Sequence, residues 1–385
     1  MGTGVTRSMT RAIYDFIWRH EPATKNEIAA ALGISLPTVS KYLTYFAREG
    51  LIDVGSKLSS GARGGRIPIG YVCRDNGRFA IGLDVTAERT RCVVLNVRGE
   101  VLANRRTPRA YSRDDDYFRF LGEEVAAVVA ESGIEERRIL GVAIGVPGLI
   151  DEASGVLYFG RVIDNLGLSI ADFGRYIPYS SRLVHDSEAA GFAEFWERPT
   201  DTNAYYISLG KSVGGSFHQR AASHRGERGL TSEVGHMRIH PQGRLCYCGR
   251  YGCMDPYCNS RVLAASGDGS VGLFFERLRS GESAAVRAWD DYTSDLAIVI
   301  HNVRVMFGSR IILGGDVGAK CGPDLEPLWR KVDDLSFLPS DSRSFLRACT
   351  VTEYPIALGS ALHVVDQFRN DPDRFALPRS RTRGA

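Results

Sequence analysis

The stretch HMRIHPQGRLCYCGRYGC, running from His236 to Cys253, constrains this chain more than any other. Three of the eight cysteines, Cys246, Cys248 and Cys253, fall within eight residues, and His236 lies ten positions upstream of the first. Three thiolates and an imidazole form a typical closed, tetrahedral set for structural zinc. The Cys-x-Cys pair cannot readily close on itself as a disulfide. Pro241, Gly243, Gly249 and Gly252 let a short segment wrap an ion. The spacing therefore predicts a structural Zn2+ held by His236, Cys246, Cys248 and Cys253. A loop of reduced thiols is the bland alternative. Cys258 lies outside the pattern and reads as a buried free thiol; Cys73, Cys92, Cys321 and Cys349 are scattered and read as inert.

The surrounding composition sets limits. With 385 residues, 44% hydrophobic and 24% charged, the chain is too long for one core, and two or three domains are expected. No apolar run approaches the roughly 20 residues that cross a bilayer, and the first residues lack a signal-peptide core. A cytoplasmic protein with no membrane partner is the expectation, and there clustered cysteines favour metal over disulfides. The net charge is +3, but the segment up to Asp75 carries ten basic residues against six acidic ones. That excess lies where a nucleic-acid-binding module would use it.

The same segment reads as a winged helix-turn-helix. Met9, Ile13, Phe16 and Ile17 make one apolar helical face. Thr24 is placed to cap a second helix, with Glu27 three residues on and Gly33 as its stop. Ser35 and Pro37 open a third, whose inward stripe is Val39, Tyr42, Leu43 and Phe46. Thr38, Ser40 and Lys41 near its start are expected to reach DNA base edges and phosphates. The following segment reads as two strands around a Gly/Ser/Arg-rich tip, a wing whose Arg63 and Arg66 are expected to grip DNA.

After Arg78 the pattern turns to α/β. FAIGLDV, a hairpin, a helix and ILGVAIGVPGLID suggest one lobe, and NAYYISLGKSVGGSFHQR opens a similar pattern again. Two related lobes with a ligand cleft between them are expected. The expected divisions are 1–75 for the winged helix and 76–375 for the two-lobed domain. Within the latter the lobes run about 76–198 and 199–375, the metal loop 233–258, and residues 376–385 form a disordered tail.

SEVGHMRIHPQGRLCYCGRYGCMD resembles the zinc segment of the ROK family of repressors, open reading frames and sugar kinases. VPGLID, DNLG, HDSEAAGFAE and IILGG match further family segments in family order, covering nearly everything after Arg78. SGARGGRIP resembles the wing of the family's repressor branch. The resemblance implies a hexokinase/actin-like α/β fold of two lobes preceded by the winged helix. It also implies a cleft that takes a sugar or sugar derivative through Asn165, His185, Asp186, Glu233, His236 and Asp255. His185 stands where the family usually has Asn, and Asp255 where it has Glu. The metal would then clamp Glu233 and His236 in place.

Kinase activity is not expected. Phosphoryl transfer needs backbone N–H groups close around the nucleotide phosphates. The family's first phosphate loop reads Asp-x-Gly-Gly-Thr; here DVTAERT puts Thr86 and Ala87 for the glycines and Glu88 for the threonine. A carboxylate about 4 Å from a phosphate charge costs roughly 1 kcal/mol in water and about 4 at intermediate dielectric. The second loop is GKSVGG, where Lys211 could assist a phosphate. Asp186 aligns with the kinases' general base and would serve as the catalytic residue of a zinc-dependent, ATP-using sugar kinase, the alternative reading. The favoured reading is a homodimeric repressor, or a dimer of such dimers, with an operator in double-stranded DNA and a sugar effector as partners.

Overall fold

The computed structural model describes residues 3–57, 69–151, 153–197, 203–219, 222–339 and 341–372. Arg63, Arg66 and the segment 376–385 lie outside the described residues.

The first unit contains α1 (Thr3–Arg19), β1 (Ala23–Thr24), α2 (Lys25–Leu32), α3 (Leu36–Arg48), β2 (Ile52–Lys57) and β3 (Ile69–Cys73). Thr24 and Glu27 form a reciprocal capping box, and Gly33 ends α2 with φ 64°. The Ser35 hydroxyl accepts from the Thr38 amide and starts α3. Ile13, Ile17, Ile28, Val39, Leu43 and Phe46 close the core of this unit. β2 and β3 pair antiparallel, with β1 on the other side of β3.

Lobe 1 follows with β4 (Phe79–Val85), β5 (Arg89–Asn96), β6 (Val101–Pro108), α4 (Asp115–Ser132) and β7 (Ile139–Val146). The small hairpin β8 (Leu149–Ile150) and β9 (Leu157–Phe159), α5 (Ile170–Phe173), β10 (Ser181–His185) and α6 (Asp186–Glu197) complete its run. Lobe 2 opens with β11 (Asn203–Leu209), β12 (Val213–Gln219) and β13 (Ala222–His224). Helices α7 (Asp255–Cys258), α8 (Ser260–Ala265), α9 (Val271–Arg279) and α10 (Ser283–Phe307) come next. Then follow β14 (Arg310–Gly314), α11 (Gly315–Gly318), α12 (Glu326–Leu335) and β15 (Leu346–Ala348), after which the chain returns to the lobe 1 sheet with α13 (Pro355–Asn370).

The lobes repeat one topology. Lobe 1 is ordered β10-β7-β4-β5-β6 and lobe 2 β15-β14-β11-β12-β13. In each, an antiparallel three-strand meander is extended by two parallel strands on the side of its first strand. Parallel strands need covered faces, and α6 and α13 supply the cover where the lobes meet. α13 lies on β4 and β7, and α6 lies on β11 and β12. The two helices touch so closely at Gly359 that a Cβ there would stand 1.7 Å from the Ala189 carbonyl oxygen.

Two histidines are buried in this layer. His218 stacks on Phe195 at 4.4 Å and His363 on Phe192 at 4.1 Å. Burial pushes their pKa values down to about 4 and about 3. Both native values lie below that of unfolded histidine, so the unfolded chain binds more protons and stability falls as pH drops below about 6.5. The two rings contribute a loss of about 2 kcal/mol between pH 6 and pH 5, partly offset by Asp84, whose pKa burial raises to about 7. Urea unfolding of the wild type beside His218→Gln/His363→Gln isolates the part of the rings. An equal pH slope in the two proteins would contradict the burial of these rings as neutral groups. Among the described residues no helix is long and apolar enough to cross a membrane.

Candidate metal centre and interlobe cleft

The residues from Glu233 to Cys258 wrap back on themselves. Met254 N donates to Met237 O, Gly252 N to Arg244 O, and Cys246 N to Arg250 O. Folding the segment this way gathers four donors: His236, Cys246, Cys248 and Cys253 place their ligand atoms all within 4.8 Å of one another. Cys248 and Cys253 sulfurs are 3.8 Å apart, and His236 Nδ1 is 3.6 Å from Cys246 Sγ. Such a cluster can hold a metal ion. Among the described residues it is the one group of at least three such side chains that does. The other five cysteines are free and buried.

The opposite ring nitrogen of His236 faces away from the thiols. Its Nε2 is 3.4 Å from a Glu233 carboxylate oxygen and 3.1 Å from the Tyr247 hydroxyl. Tyr247 went unremarked in the sequence, although its place inside Cys-x-Cys aims it from the metal loop. Burial first, then the charges of Asp255 and Glu233, push its phenol pKa well up. It stays protonated and can donate.

Of the remaining candidates, His185, Asp186 and Asp255 converge on the start of β12, and Asn165 stands apart under Pro147. Val213 N donates to Asp255 Oδ2 at 2.7 Å. A Cβ on Gly214 would lie 2.2 Å from Ser187 Oγ and 3.9 Å from His185 Cε1. His185 Nε2 stands 3.6 Å from Asp186 Oδ1, which accepts from the Ser187 amide at 2.6 Å. Accessibility divides the six. His185, Asp186, Glu233 and His236 keep 13–24% of their side chains exposed. Asn165 and Asp255 are buried. Asn165 Nδ2 donates to Pro147 O, and its Oδ1 has no partner among the described residues. Both Asp255 oxygens are engaged, the second by Asn259 Nδ2 at 3.3 Å. Here Asp255 ties the metal loop to β12 rather than facing open space.

The two first-hairpin turns, β4–β5 and β11–β12, occupy matching places in the repeated lobes and meet across the cleft. Thr86 closes the first turn with its hydroxyl on Arg89 O. Glu88 at its tip pairs with Lys211 of the second at 2.6 Å. Lys211, read in the sequence as a possible aid to a phosphate, here pairs with that carboxylate, and both side chains stay largely exposed. Beneath them Asp84, at the end of β4, is buried and has its pKa pushed up to about 7 by burial, with the Asp186 charge adding to the rise against Arg89.

In the winged helix, Thr38 and Ser40 are half-buried and Lys41 is exposed. The Thr38 hydroxyl is held by Ser35 at 2.8 Å. Of the three, Lys41 presents the freest reach, alongside exposed Thr44 and Arg48. Lys41→Ala is expected to weaken DNA binding about 3- to 10-fold through one lost phosphate contact, and to lower the salt dependence by about one ion. Filter binding at several salt concentrations checks it; an unchanged salt slope would move the interface elsewhere.

The sequence profile of the ROK family matches residues 80–333, and one described as winged helix-turn-helix DNA-binding matches residues 7–53. The chain is 23% identical over 255 residues to the xylose repressor of Bacillus subtilis (strain 168), covering 65% of each. It is 23% identical over 249 residues to the DNA-binding transcriptional dual regulator NagC of Escherichia coli (strain K12), covering 63% of this chain and 60% of that one. The crystal structure of a ROK family transcriptional regulator, a homolog of the E. coli MLC protein, superposes with a TM-score of 0.78 at 17% identity. It covers 95% of this chain and 97% of its own. With the family profile spanning well over half its length, this chain belongs to the ROK family.

Proposed function

We propose that this chain is a sugar-responsive transcriptional repressor that binds operator DNA through its winged helix and has no kinase activity. The observation that carries the reading is the Glu88–Lys211 pair. It joins a winged helix-turn-helix protein's two phosphate turns to each other, side chain to side chain, where a kinase would present glycine backbone to a nucleotide. Relatives named xylose repressor and N-acetylglucosamine repressor support the same class. Since their names point to different sugars, the effector is assigned here only as a sugar or sugar derivative.

The metal is zinc on this reading. Tetrahedral Zn–S and Zn–N bonds of about 2.3 and 2.0–2.1 Å imply S···S and S···N edges of about 3.8 and 3.6 Å. Two of the six edges, at 3.8 Å and 3.6 Å, match these values, and all six lie within 4.8 Å. Bound there, zinc supplies no reaction chemistry; it fixes the His236 ring so that Nε2, Glu233 and the Tyr247 hydroxyl stand as a preset group of donors and acceptors. A sugar hydroxyl pair between this group and Asp186 would be held from both lobes. Asn165 and Asp255 then act by positioning, the first under the Pro147 loop and the second on β12.

Two protomers would place two α3 helices on the half-sites of a near-palindrome. Effector binding favours one lobe arrangement and so changes DNA affinity by its differential affinity for the two. A thermal-shift screen against sugars, polyols and sugar phosphates, joined to a coupled ATP assay on the same panel, tests the reading. Specific stabilisation without ATP turnover is expected. Turnover with an ordinary sugar would instead establish the kinase, with Asp186 as base.

A further inference from the structure

One side chain of the winged helix is gripped by the lobes at a point no sugar or DNA contact requires. Trp18, in the last turn of α1, is half-buried between two guanidinium groups. Arg98, from the β5–β6 turn, stacks on it at 4.1 Å, and Arg369, from the last turn of α13, at 4.5 Å. Trp196, at the end of α6, stands edge-on at 6.4 Å and donates its indole N–H to Arg98 O at 3.0 Å. Each arginine also pairs with an acid of the winged helix: Arg369 with Asp15 at 2.9 Å, and Arg98 with Glu21. Glu21 in turn accepts the Cys73 amide at 2.6 Å, so the grip reaches the base of the wing. Cation–π contacts gain strength when partly removed from water, and two of them on one indole fix the rotation of α1 as well as its position.

Both helices that end in this grip start near the cleft: α6 at Asp186, and α13 with Ile356 against Gly145, the β7 partner of Asp84. The first residue of α6 is Asp186 and its last turn carries Trp196. α13 passes the cleft end of α6 at His363, 3.7 Å from Glu188, and touches it at Gly359 before reaching Arg369. Midway, buried Glu194 of α6 accepts from the Thr350 and Val351 amides of lobe 2, each at 2.9 Å. A change in lobe closure therefore has to shift α6 and α13 together, and both terminate on Trp18.

We propose that Trp18 is the joint through which the state of the cleft reaches the DNA-binding unit: the Arg98–Trp18–Arg369 stack docks the winged helix on lobe 1 in one orientation. The docking arm of the test stands apart from the repressor reading; the DNA arm rests on it.

Hydrogen exchange and calorimetry of the full chain test docking. Trp18→Ala is expected to speed exchange in α1 and β3 about tenfold and to split one thermal transition into two. Because Trp18→Ala could unsettle the winged helix itself, the double variant Arg98→Ala/Arg369→Ala, wholly outside it, must do the same. Trp18→Phe should fall between. Unchanged exchange in the double variant overturns the joint. For the DNA arm, a duplex selected in vitro on the wild-type protein is titrated against Asp186→Asn, Trp18→Phe and their combination. Asp186→Asn is expected to shift affinity severalfold when Trp18 is present and by less than half of that, in logarithmic terms, with phenylalanine in its place. An equal shift in both backgrounds, or none in either, overturns the coupling. If no duplex can be selected, the repressor reading fails while the docking result is decided on its own.

Discussion

Cys253→Ser is expected to strip the protein of its metal. Purified wild-type chain should carry about one zinc ion and the variant under about a tenth of one, because a closed four-ligand site loses most of its affinity with a thiolate. Cys253 is buried and its sulfur is 3.8 Å from that of Cys248, so the serine leaves a hole as well as a missing ligand. The ends of the loop are anchored by Val234, Met254 and Cys258 in the lobe 2 core and by His240 on Asp295, but around the sulfurs its backbone bonds are local, and glycines at 249 and 252 adopt φ of 86° and 79°. A stability loss of roughly 3 kcal/mol is expected, with the lobes still folded around their own cores. The consequence for function is sharper than for stability. Once His236 Nδ1 has no ion to face, its ring can turn, and the 3.4 Å and 3.1 Å contacts to Glu233 and Tyr247 go with it. Plasma emission spectrometry and chemical denaturation check both halves; wild-type protein without zinc would remove the clamp.

Glu233→Ala is expected to abolish the response to effector while leaving DNA binding in its absence intact. Glu233 is part-exposed, sits beside the candidate metal ligand His236 and lies far in sequence from the winged helix. Charge-assisted hydrogen bonds to sugar hydroxyls contribute about 1.5–3 kcal/mol, so affinity should fall about 10- to 150-fold. Glu233→Gln keeps the shape and one acceptor and should fall between. Isothermal titration with the sugar found in the thermal screen, alongside a DNA titration, separates loss of binding from loss of fold. A normal effector response in Glu233→Ala would take the residue out of the site.

Much of this was legible in the chain because it is written locally. Thr24, Glu27 and Gly33 sit at fixed offsets around α2, and Ser35 before α3, so capping could be read directly. The metal cluster was legible for the same reason: three of its four ligands fall within eight residues. Contacts between distant segments left no such signature. Asp255 was legible as a candidate, yet the amide it holds belongs to Val213, and only the folded chain shows that each of its oxygens already accepts one hydrogen bond. Lys211 and Glu88 each looked like a change in a phosphate loop; that they neutralise each other depends on how the lobes close. Tyr247 hid inside the cysteine motif, where attention goes to the sulfurs. Trp18, Arg98 and Arg369 lie on three elements far apart in sequence and share no spacing that periodicity could detect.

The central claim is that occupancy of a metal-braced cleft governs the hold on DNA. The most direct measurement is the affinity for a selected duplex across a panel of sugars and sugar derivatives, made in parallel on the wild-type chain and on Glu233→Ala. At least one compound should change wild-type affinity and leave the variant's unchanged. A panel that moves neither protein, or moves both equally, would contradict the account.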